Sequence, residues 1–364
     1  MRPDLDQFKF RDDEKAKKVL NEIKKSKHDL KLMHVCGTHQ DTLVKHGLEP
    51  LFKKVGVEIV QGPGCPVCVT TQREIEEMIR LAEEGIKLAI FGDMINVPGL
   101  DKTLAETRSE GGDVNVVYSV DDAVELAEKS KDDVVFISVG FETTVPTTAN
   151  VIAEDPPTNF SILTCNRVIP PALKAILDMG EVDLDGLIEP GHVSTIIGTK
   201  PYEPISKDYD IPQVIAGFEP LDMLVGVLML QRQVEEGRSE VENEYGRVVK
   251  EEGNTKALEV IQEVFEKKDL EWRGFPEIPN SGLKLREKYD DYSARKRFSE
   301  ILKDLQDKTF EEPEGCLCGS VLRGIIKSKE CDLFGNECTP SNPVGPCMVS
   351  REGACNIEYR YSSE

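Results

Sequence analysis

Aromatic residues and positive charge are both scarce in this sequence. Aromatic side chains make up 6% of the 364 residues, and 45 Lys and Arg stand against 67 Asp and Glu, which gives a net charge of −22. Such a chain offers little attraction for a phosphate backbone and few rings on which bases could stack. We therefore expect neither nucleic acid nor an anionic membrane surface as a partner.

Long apolar segments and phosphate-binding motifs are also lacking. The longest apolar run, Leu221 to Leu230, is about half of what a membrane-spanning helix needs. The N-terminal segment MRPDLDQFKFRDDEKAKK is charged throughout and has no apolar stretch of the secretory kind. No G-x-G-x-x-G or G-x-x-x-x-G-K-[ST] is present, so nothing argues for a nucleotide. We expect a cytoplasmic protein whose thiols stay reduced.

Cysteine, in contrast, is abundant and unevenly placed. Of the ten cysteines, six lie after residue 315: Cys316, Cys318, Cys331, Cys338, Cys347 and Cys355. In a reducing compartment such a group favours metal or redox chemistry over a disulfide scaffold. Six thiols exceed the four that a structural zinc site or a cubane iron–sulfur cluster needs, and the close C-x-x-C pairs of zinc ribbons and ferredoxins are absent here. Spacing alone therefore leaves the ligand set open.

The region from residue 30 to about 235 alternates short apolar runs with amphipathic stretches, which is typical of a parallel α/β sheet. In order, the second four of the predicted strands repeat the first four at an offset of roughly 100 residues, as LMHVCGTH and FISVGFETT do. We predict two similar tandem α/β domains, 1–130 and 131–240. The strands are predicted at 31–35, 58–61, 87–91, 115–118, 134–139, 160–164, 186–189 and 213–216.

The remaining region, 241–364, is predicted to be a third domain. Its first part is rich in Glu and Lys and indicates a helical connection that is broken at WRGFPEIPNSG. Its last 50 or so residues are loop-rich, so we expect a disulfide or a bound metal to stabilise them. In the first domain, Thr71 and Glu74 form a predicted helix-capping box, and Ser119 and Asp122 are predicted to cap the helix of DDAVELAEKS.

The loop after the first predicted strand contains Cys36, Gly37, Thr38 and His39. Ligands of parallel sheets bind beyond the carboxyl ends of the strands, so Cys36 is expected in a crevice. A helix N-terminus and a nearby imidazole are expected to lower the pKa of this thiol. The alternative is a half-buried cysteine next to a capping threonine.

A second loop, GPGCPVC at 62–68, places Cys65 and Cys68 at the start of a helix. A C-x-x-C pair at a helix start is a redox or metal geometry, because thiols ionise easily there. Two packing thiols in a tight turn are the alternative.

The third loop, Gly140 to Thr144, is the counterpart of the Cys36 loop in the second predicted domain. Glu142 is predicted to face the same crevice, where it would take a proton or hold a partner group. A capping threonine with a solvated Glu142 is the alternative. His192 lines the crevice or is structural, and Cys165 is predicted to be a core thiol.

Taken together, these motifs resemble the hydrogenase maturation factor HypD family. The resemblance rests on CGTH at 36–39, GPGCPVC at 62–68, GFETT at 140–144 and the cysteine-rich tail, and it covers nearly the whole chain. It implies two similar α/β domains with a crevice between them and a third domain that holds a [4Fe–4S] cluster. With a small partner, HypC, these proteins form the scaffold on which the Fe(CN)2CO unit of [NiFe] hydrogenase is assembled, and HypE delivers the cyanide.

The resemblance also implies roles for individual residues. Cys36 matches the family's cysteine for the nascent iron, and Cys65 and Cys68 match its crevice dithiol. The family's cluster spacing, C-x14-C-x6-C-x16-C, selects Cys316, Cys331, Cys338 and Cys355. Cys318 and Cys347 would then be redox-active thiols beside the cluster, as in ferredoxin–thioredoxin reductases.

The resemblance implies an assembly scaffold with redox activity, monomeric when alone and reaching the hydrogenase large subunit through HypC. Two alternatives remain at this point. A thiol oxidoreductase of the ferredoxin–thioredoxin type would use the tail as its active site, but it would not need Cys36 or the GFETT loop. A zinc-stapled binding protein is the other alternative.

Overall fold

The computed structural model describes residues 12–306 and 308–361. Two parallel sheets and one antiparallel hairpin form its β-structure. The strands are β1 Leu30–His34, β2 Val57–Gln61, β3 Lys87–Phe91, β4 Val114–Val117, β5 Val134–Gly140, β6 Phe160–Asn166, β7 Gly186–Pro190, β8 Gln213–Ala216, β9 Val241–Asn243, β10 Phe265–Glu271 and β11 Glu277–Leu285. All eight predicted strands are confirmed, and the short edge strand β9 was not predicted.

The two parallel sheets differ from the predicted tandem arrangement. One sheet has the order β2-β1-β7-β8-β9 and the other β4-β3-β5-β6, so the second sheet is inserted between β2 and β7 of the first. Strands on both sides of the predicted boundary at residue 130 share a sheet, as the pairing of Met33 with Leu187 shows. The internal similarity identified strands correctly, but it carries no information on which strands form hydrogen bonds with each other.

Both sheets nevertheless share one strand order. In each, the first strand (β1 or β3) lies between the strand that follows it in sequence and a later strand (β7 or β5). At such a position the strand order reverses, and the loops that leave the two central strands diverge to open a crevice. The loops that contain Cys36, Asp93, Glu142 and His192 all leave these central strands.

Helices cover the sheets, and several begin and end where the sequence indicates. The Thr71–Glu74 and Ser119–Asp122 capping boxes are both present. The helices are α1 Asp13–Ile23, α2 Gly37–Lys45, α3 Leu48–Lys53, α4 Gln72–Glu83, α5 Leu104–Ser109, α6 Val120–Lys129, α7 Val145–Ala153, α8 Ile169–Met179, α9 Gly191–Ile197, α10 Glu203–Tyr209, α11 Pro220–Glu236, α12 Thr255–Val264, α13 Ala294–Arg297, α14 Ser299–Gln306, α15 Cys318–Leu322, α16 Pro346–Val349 and α17 Ala354–Tyr361. Of the helices in 12–306 and 308–361, none has the length and apolarity to cross a membrane.

The connection to the tail is not the largely helical segment that was predicted. Helix α12 is followed by the hairpin β10–β11, whose antiparallel pairing runs from Phe265 opposite Leu285 to Glu271 opposite Glu277. The segment WRGFPEIPNSG, interpreted as a helix break, forms the hairpin turn and the first part of β11. After the buried Phe265, exposed and partly buried residues alternate along Phe265–Glu271, which is the period-two pattern of a strand.

One hydrophobic core joins these parts. It contains residues from both parallel sheets together with Trp272 of the hairpin turn, Cys65 and Cys68 of the second loop, and Cys318 and Cys347 of the tail. The tail is therefore packed against the α/β region, so its thiols share an interior with the cysteines of the second loop.

Candidate functional site

The predicted crevice lies where the central loops of the two sheets meet, and it has a volume of about 310 Å³. Cys36 and Thr38 line it from β1, and His192 lines it from β7. The loops of the inserted sheet contribute the opposite wall. The other lining residues are Val35, Gly64, Pro66, Val67, Phe91, Asp93, Met94, Val139, Gly140, Phe141, Thr143, Thr144, Pro190, Val193 and Glu352.

Cys36 lies between β1 and α2, in extended backbone at the start of the helix. The residue is 7% exposed, and it is the one cysteine among the described residues that lines the crevice. Burial raises the pKa of this thiol to about 11, and the backbone N–H groups of His39 and Thr38 offset only part of that rise. The predicted lowering was therefore wrong, because desolvation of the thiolate outweighs the helix N-terminus here.

Two glycines allow the loops around Cys36 to pack backbone against backbone. A Cβ on Gly64 would lie 2.1 Å from the Cys36 nitrogen, and the N–H of Gly37 donates to the Gly64 carbonyl at 3.1 Å. A Cβ on Gly37 would lie 2.5 Å from the Cβ of Glu352. The glycines of CGTH and GPGC are therefore needed for this close approach.

Cys65 and Cys68 form a disulfide with a Cα–Cα distance of 5.2 Å. Both are fully buried, and the Cys68 N–H donates to the Cys65 sulfur at 3.1 Å. The crevice wall is formed by their neighbours Pro66 and Val67, and neither cysteine is part of it. The pair lies directly behind the wall of the crevice.

The two histidines at strand ends have different positions. His39 is fully buried, does not line the crevice, and has its Nε2 at 3.0 Å from the Gly217 carbonyl oxygen. Burial lowers its pKa to about 3, so it stays neutral. His192 lines the crevice and stacks on Phe218 with ring centroids 3.9 Å apart, and burial also lowers its pKa.

Phe218 was missed in the sequence. Its ring lies 5.0 Å from that of His39 as well, and its carbonyl accepts a hydrogen bond from the Thr42 hydroxyl at 2.6 Å. It fixes the imidazole planes of two residues at once. Its position directly beyond β8, in a chain with few aromatics, is the only feature that points to it.

Glu142 does not face the Cys36 crevice, contrary to the prediction. It lines a separate cavity of about 390 Å³ instead, together with residues such as Val145, Pro170 and Ile197. Its Oε1 accepts a hydrogen bond from the Ile169 N–H at 2.9 Å, and its Oε2 has no partner among the described residues. Phe141, Thr143 and the glycine before them form the crevice wall instead, because successive side chains leave the loop in different directions.

The protonation of Glu142 gives a pH test. Burial raises its pKa from 4.5 to about 7. Between pH 4.5 and about 7, Glu142 is already ionised in the unfolded chain but still protonated in the folded chain. The folded chain therefore binds more protons in this range, and its stability falls as the pH rises. Each pKa unit corresponds to about 1.4 kcal/mol, so we expect a loss of about 3 kcal/mol from this group. Glu142→Gln keeps the acceptor for the Ile169 N–H and should abolish this part of the pH dependence.

Denaturant unfolding of both chains at pH 5 and pH 7.5 measures the difference. The gap in unfolding free energy between the two chains should widen toward pH 7.5 in favour of E142Q. Parallel changes in stability for wild type and E142Q would show that Glu142 is already ionised in the fold.

Glu352 of the tail also lines the crevice and was not predicted. Burial raises its pKa, and the nearby charge of Asp93 acts in the same direction. The tail therefore reaches the Cys36 loop directly. No spacing rule pointed to this residue, because a lone glutamate between cysteines matches no ligand motif.

The tail cysteines lie around a second, small cavity. Cys316, Cys318, Cys331, Cys338 and Cys355 line it. Cys347 is fully buried, and a hydrogen bond with Cys318 and burial hold its pKa well above the ordinary value. A hydrogen bond with Cys318 also raises the pKa of Cys316. Within the described part of the chain, no three His, Cys, Asp or Glu side chains converge as ligands of one metal ion.

The geometry defines a class: a parallel α/β protein with a buried thiol in a crevice between two sheets and a thiol-lined cavity in its tail. Sequence comparison shows that the chain belongs to the HypD family, described as the hydrogenase formation hypA family, whose model matches residues 14–362.

Its relatives are similar along nearly their whole length. A Methanocaldococcus jannaschii protein named as a putative hydrogenase expression/formation protein is 47% identical, with 95% of this chain and 96% of the relative covered. The hydrogenase maturation factor HypD of Rhodobacter capsulatus is 41% identical, with 97% of each chain covered. That of Cupriavidus necator is 40% identical, with 97% and 96% covered.

Proposed function

We propose that this chain is a hydrogenase maturation factor that works as an assembly scaffold. With a small HypC-type partner it would hold the iron on which the Fe(CN)2CO unit of [NiFe] hydrogenase is built. Family membership supports the maturation role. The observation that carries the scaffold role is the position of Cys36, the one described cysteine in the crevice between the two sheets.

The crevice suits a soft, low-valent iron as its cargo. A thiolate is a soft ligand, and Cys36 would exchange its proton for the metal, since burial otherwise keeps the thiol neutral. Thr38, Thr143 and neutral His192 supply hydrogen-bonding groups around it, and Val35, Phe141 and Val193 exclude water. These apolar side chains would shield a labile carbonyl and cyanide complex.

The partners follow from the same proposal. A HypC-type chaperone would complete the iron coordination, a HypE-type protein would deliver cyanide, and the hydrogenase large subunit would receive the product through the chaperone. The net charge of −22 gives no reason to include nucleic acid among the partners. We place this chemistry in the cytoplasm, where thiols such as Cys36 remain reduced.

We also propose that the tail holds a [4Fe–4S] cluster through Cys316, Cys331, Cys338 and Cys355. All four line the same cavity, and the donor set is the all-thiolate set that such clusters use. When bound, the cluster would supply one-electron transfer. The chain's own Cys318 lines the cavity and forms a hydrogen bond with Cys347, which supports a role for these two thiols in passing electrons on.

A thiol oxidoreductase of the ferredoxin–thioredoxin type is the second candidate. The observation that favours it is the Cys65–Cys68 disulfide, which shares a hydrophobic core with Cys318 and Cys347. This candidate leaves Cys36 and the crevice without a role.

Infrared spectroscopy of the chain, purified anaerobically with its HypC-type partner, separates the two. A scaffold should show CN and CO stretching bands and carry iron beyond the content of the cluster. A reductase should show no such bands, even though dithionite reduces its Cys65–Cys68 disulfide. The second outcome would overturn the scaffold proposal.

A further inference from the structure

The turn Trp272–Phe275, between β10 and β11, contacts three parts of the site. On its first side, Trp272 stacks on Phe141 of the crevice wall, with ring centroids 5.8 Å apart. Trp272 is only 1% exposed, and its indole N–H donates to the Ser281 hydroxyl at 2.9 Å. The turn is therefore held rigidly behind the crevice.

On its second side, Arg273 holds the chain directly after Cys68. Its backbone N–H donates to the Val69 carbonyl at 2.9 Å, and its Nε–H donates to the Thr70 carbonyl at 2.9 Å. Its Nη2 donates to the Gln72 side chain at 3.1 Å. The residue is 2% exposed, so these bonds are sheltered from water. Arg273 thus fixes the exit of the disulfide loop.

On its third side, Gly274 packs against the backbone of the helix that starts at Cys318. Gly274 has a φ of +80°, and a Cβ there would lie 2.4 Å from the Cα of Gly319. Arg323, just beyond the same helix, donates from Nη1 to the Gly274 carbonyl at 3.0 Å. The turn therefore touches the residue next to Cys318 and the residue next to Cys68.

We propose that the turn Trp272–Phe275 sets the separation between the tail thiols and the Cys65–Cys68 disulfide, with Arg273 and Gly274 as positioning residues. This inference rests on the redox role proposed for the tail. In the reaction, the S–S bond of Cys65–Cys68 breaks, and each sulfur takes one electron and one proton. The electrons come from a low-potential one-electron donor through the tail, and the protons come from water.

The separation matters because redox exchange between fixed groups depends steeply on geometry. A misplacement of about 1 Å can cost about a hundredfold in rate. In Gly274→Ala the new methyl group meets backbone, so the turn and the Cys318 helix must move apart. In Arg273→Ala the disulfide loop loses two side-chain hydrogen bonds to its exit. Arg273→Lys keeps a hydrogen-bond donor and the positive charge but loses the planar guanidinium with its several N–H groups. Its rate should therefore lie between those of Arg273→Ala and wild type.

The experiment uses the full chain with its reconstituted cluster under anaerobic conditions. Dithionite is added, the reaction is quenched with a maleimide, and mass spectrometry follows the appearance of Cys65 and Cys68 thiols. We expect G274A and R273A to slow this at least tenfold and R273K to fall in between. Gly85→Ala is the matched control, because Gly85 has a φ of +79° but nothing within 4 Å of its added Cβ. G85A should react at the wild-type rate.

Two further measurements decide the interpretation. The cluster absorbance and the rate of reduction by dithiothreitol, which acts on the disulfide directly, should be unchanged in G274A and R273A. If dithiothreitol reduction changes in the same proportion, the turn only shapes the loop and the inference is wrong. Wild-type rates in both variants would also overturn it. If cluster-free Cys316→Ser reduces the disulfide as fast as wild type, the redox role of the tail fails, and this inference fails with it.

Discussion

Replacing Cys36 with alanine should abolish hydrogenase maturation while leaving the fold and the tail intact. Cys36 is the one described cysteine in the crevice, and its sulfur is the soft ligand that the proposed iron needs there. We expect the C36A complex with the HypC-type partner to lose its extra iron and its CN and CO bands completely. Infrared spectroscopy and iron analysis of the co-purified complex measure both, and hydrogenase activity in a deletion strain should drop to background.

Cys165→Ala is the matched control for this variant. Cys165 is also a free, buried thiol at 1% exposure, but it lies on β6 in the core and outside the crevice. C165A should keep the infrared bands, and any loss of stability in this variant should come from packing alone. A C36A complex with the full band pattern would show that another residue holds the iron.

The sequence predicted the strands and the loops of the site because both depend on local patterns. The apolar run of 134–139 and the Thr71–Glu74 capping box each lie within a few residues, and both are present in the fold. Cys165, predicted as a core thiol, is buried on β6. In such cases burial and hydrogen bonding follow from neighbouring residues alone.

The errors arise where distant parts of the chain meet. Strands β1 and β7 pair although more than 150 residues separate them. The backbone N–H of Lys31 donates a hydrogen bond to the Asp185 carboxylate, just before β7. No local sequence pattern indicates this pairing. The pKa of Cys36 was predicted in the wrong direction for the same reason. The helix start is visible in the sequence, whereas the burial that outweighs it arises from segments packed around Cys36, such as Gly64, and the charge of Glu352 raises the pKa further.

Glu142 and Trp272 illustrate the same limit for the site. Consecutive loop residues diverge, so Phe141 faces the crevice while Glu142 faces another cavity and supports the start of α8. Trp272 lies in a segment interpreted as a break, yet it stacks behind the crevice wall. Motif membership identified which loops matter, and tertiary packing decides which side chain of each loop reaches the site.

The second large effect is expected in the tail, where serine at any one of four cysteines should remove the proposed [4Fe–4S] cluster. Cys316, Cys331, Cys338 and Cys355 line one cavity and are the four that the family resemblance implies as ligands, and serine is a poor substitute for a soft thiolate. We expect each variant to lose the brown absorbance and the labile sulfide. The tail should become protease-sensitive, since metal binding in such loop-rich segments contributes directly to folding.

Cys318 and Cys347 are the matched controls, because they belong to the same tail and share its burial. Cys318 lines the cavity as well, so position in the fold alone does not exclude it as a ligand. C318S and C347S should keep the absorbance and the iron of the cluster but lose cluster-dependent reduction of the Cys65–Cys68 disulfide. A C318S chain that loses the cluster, together with a C316S chain that keeps it, would exchange the two residues in the ligand set. If metal analysis showed that these substitutions remove zinc rather than iron and sulfide, the tail would instead hold a structural zinc site.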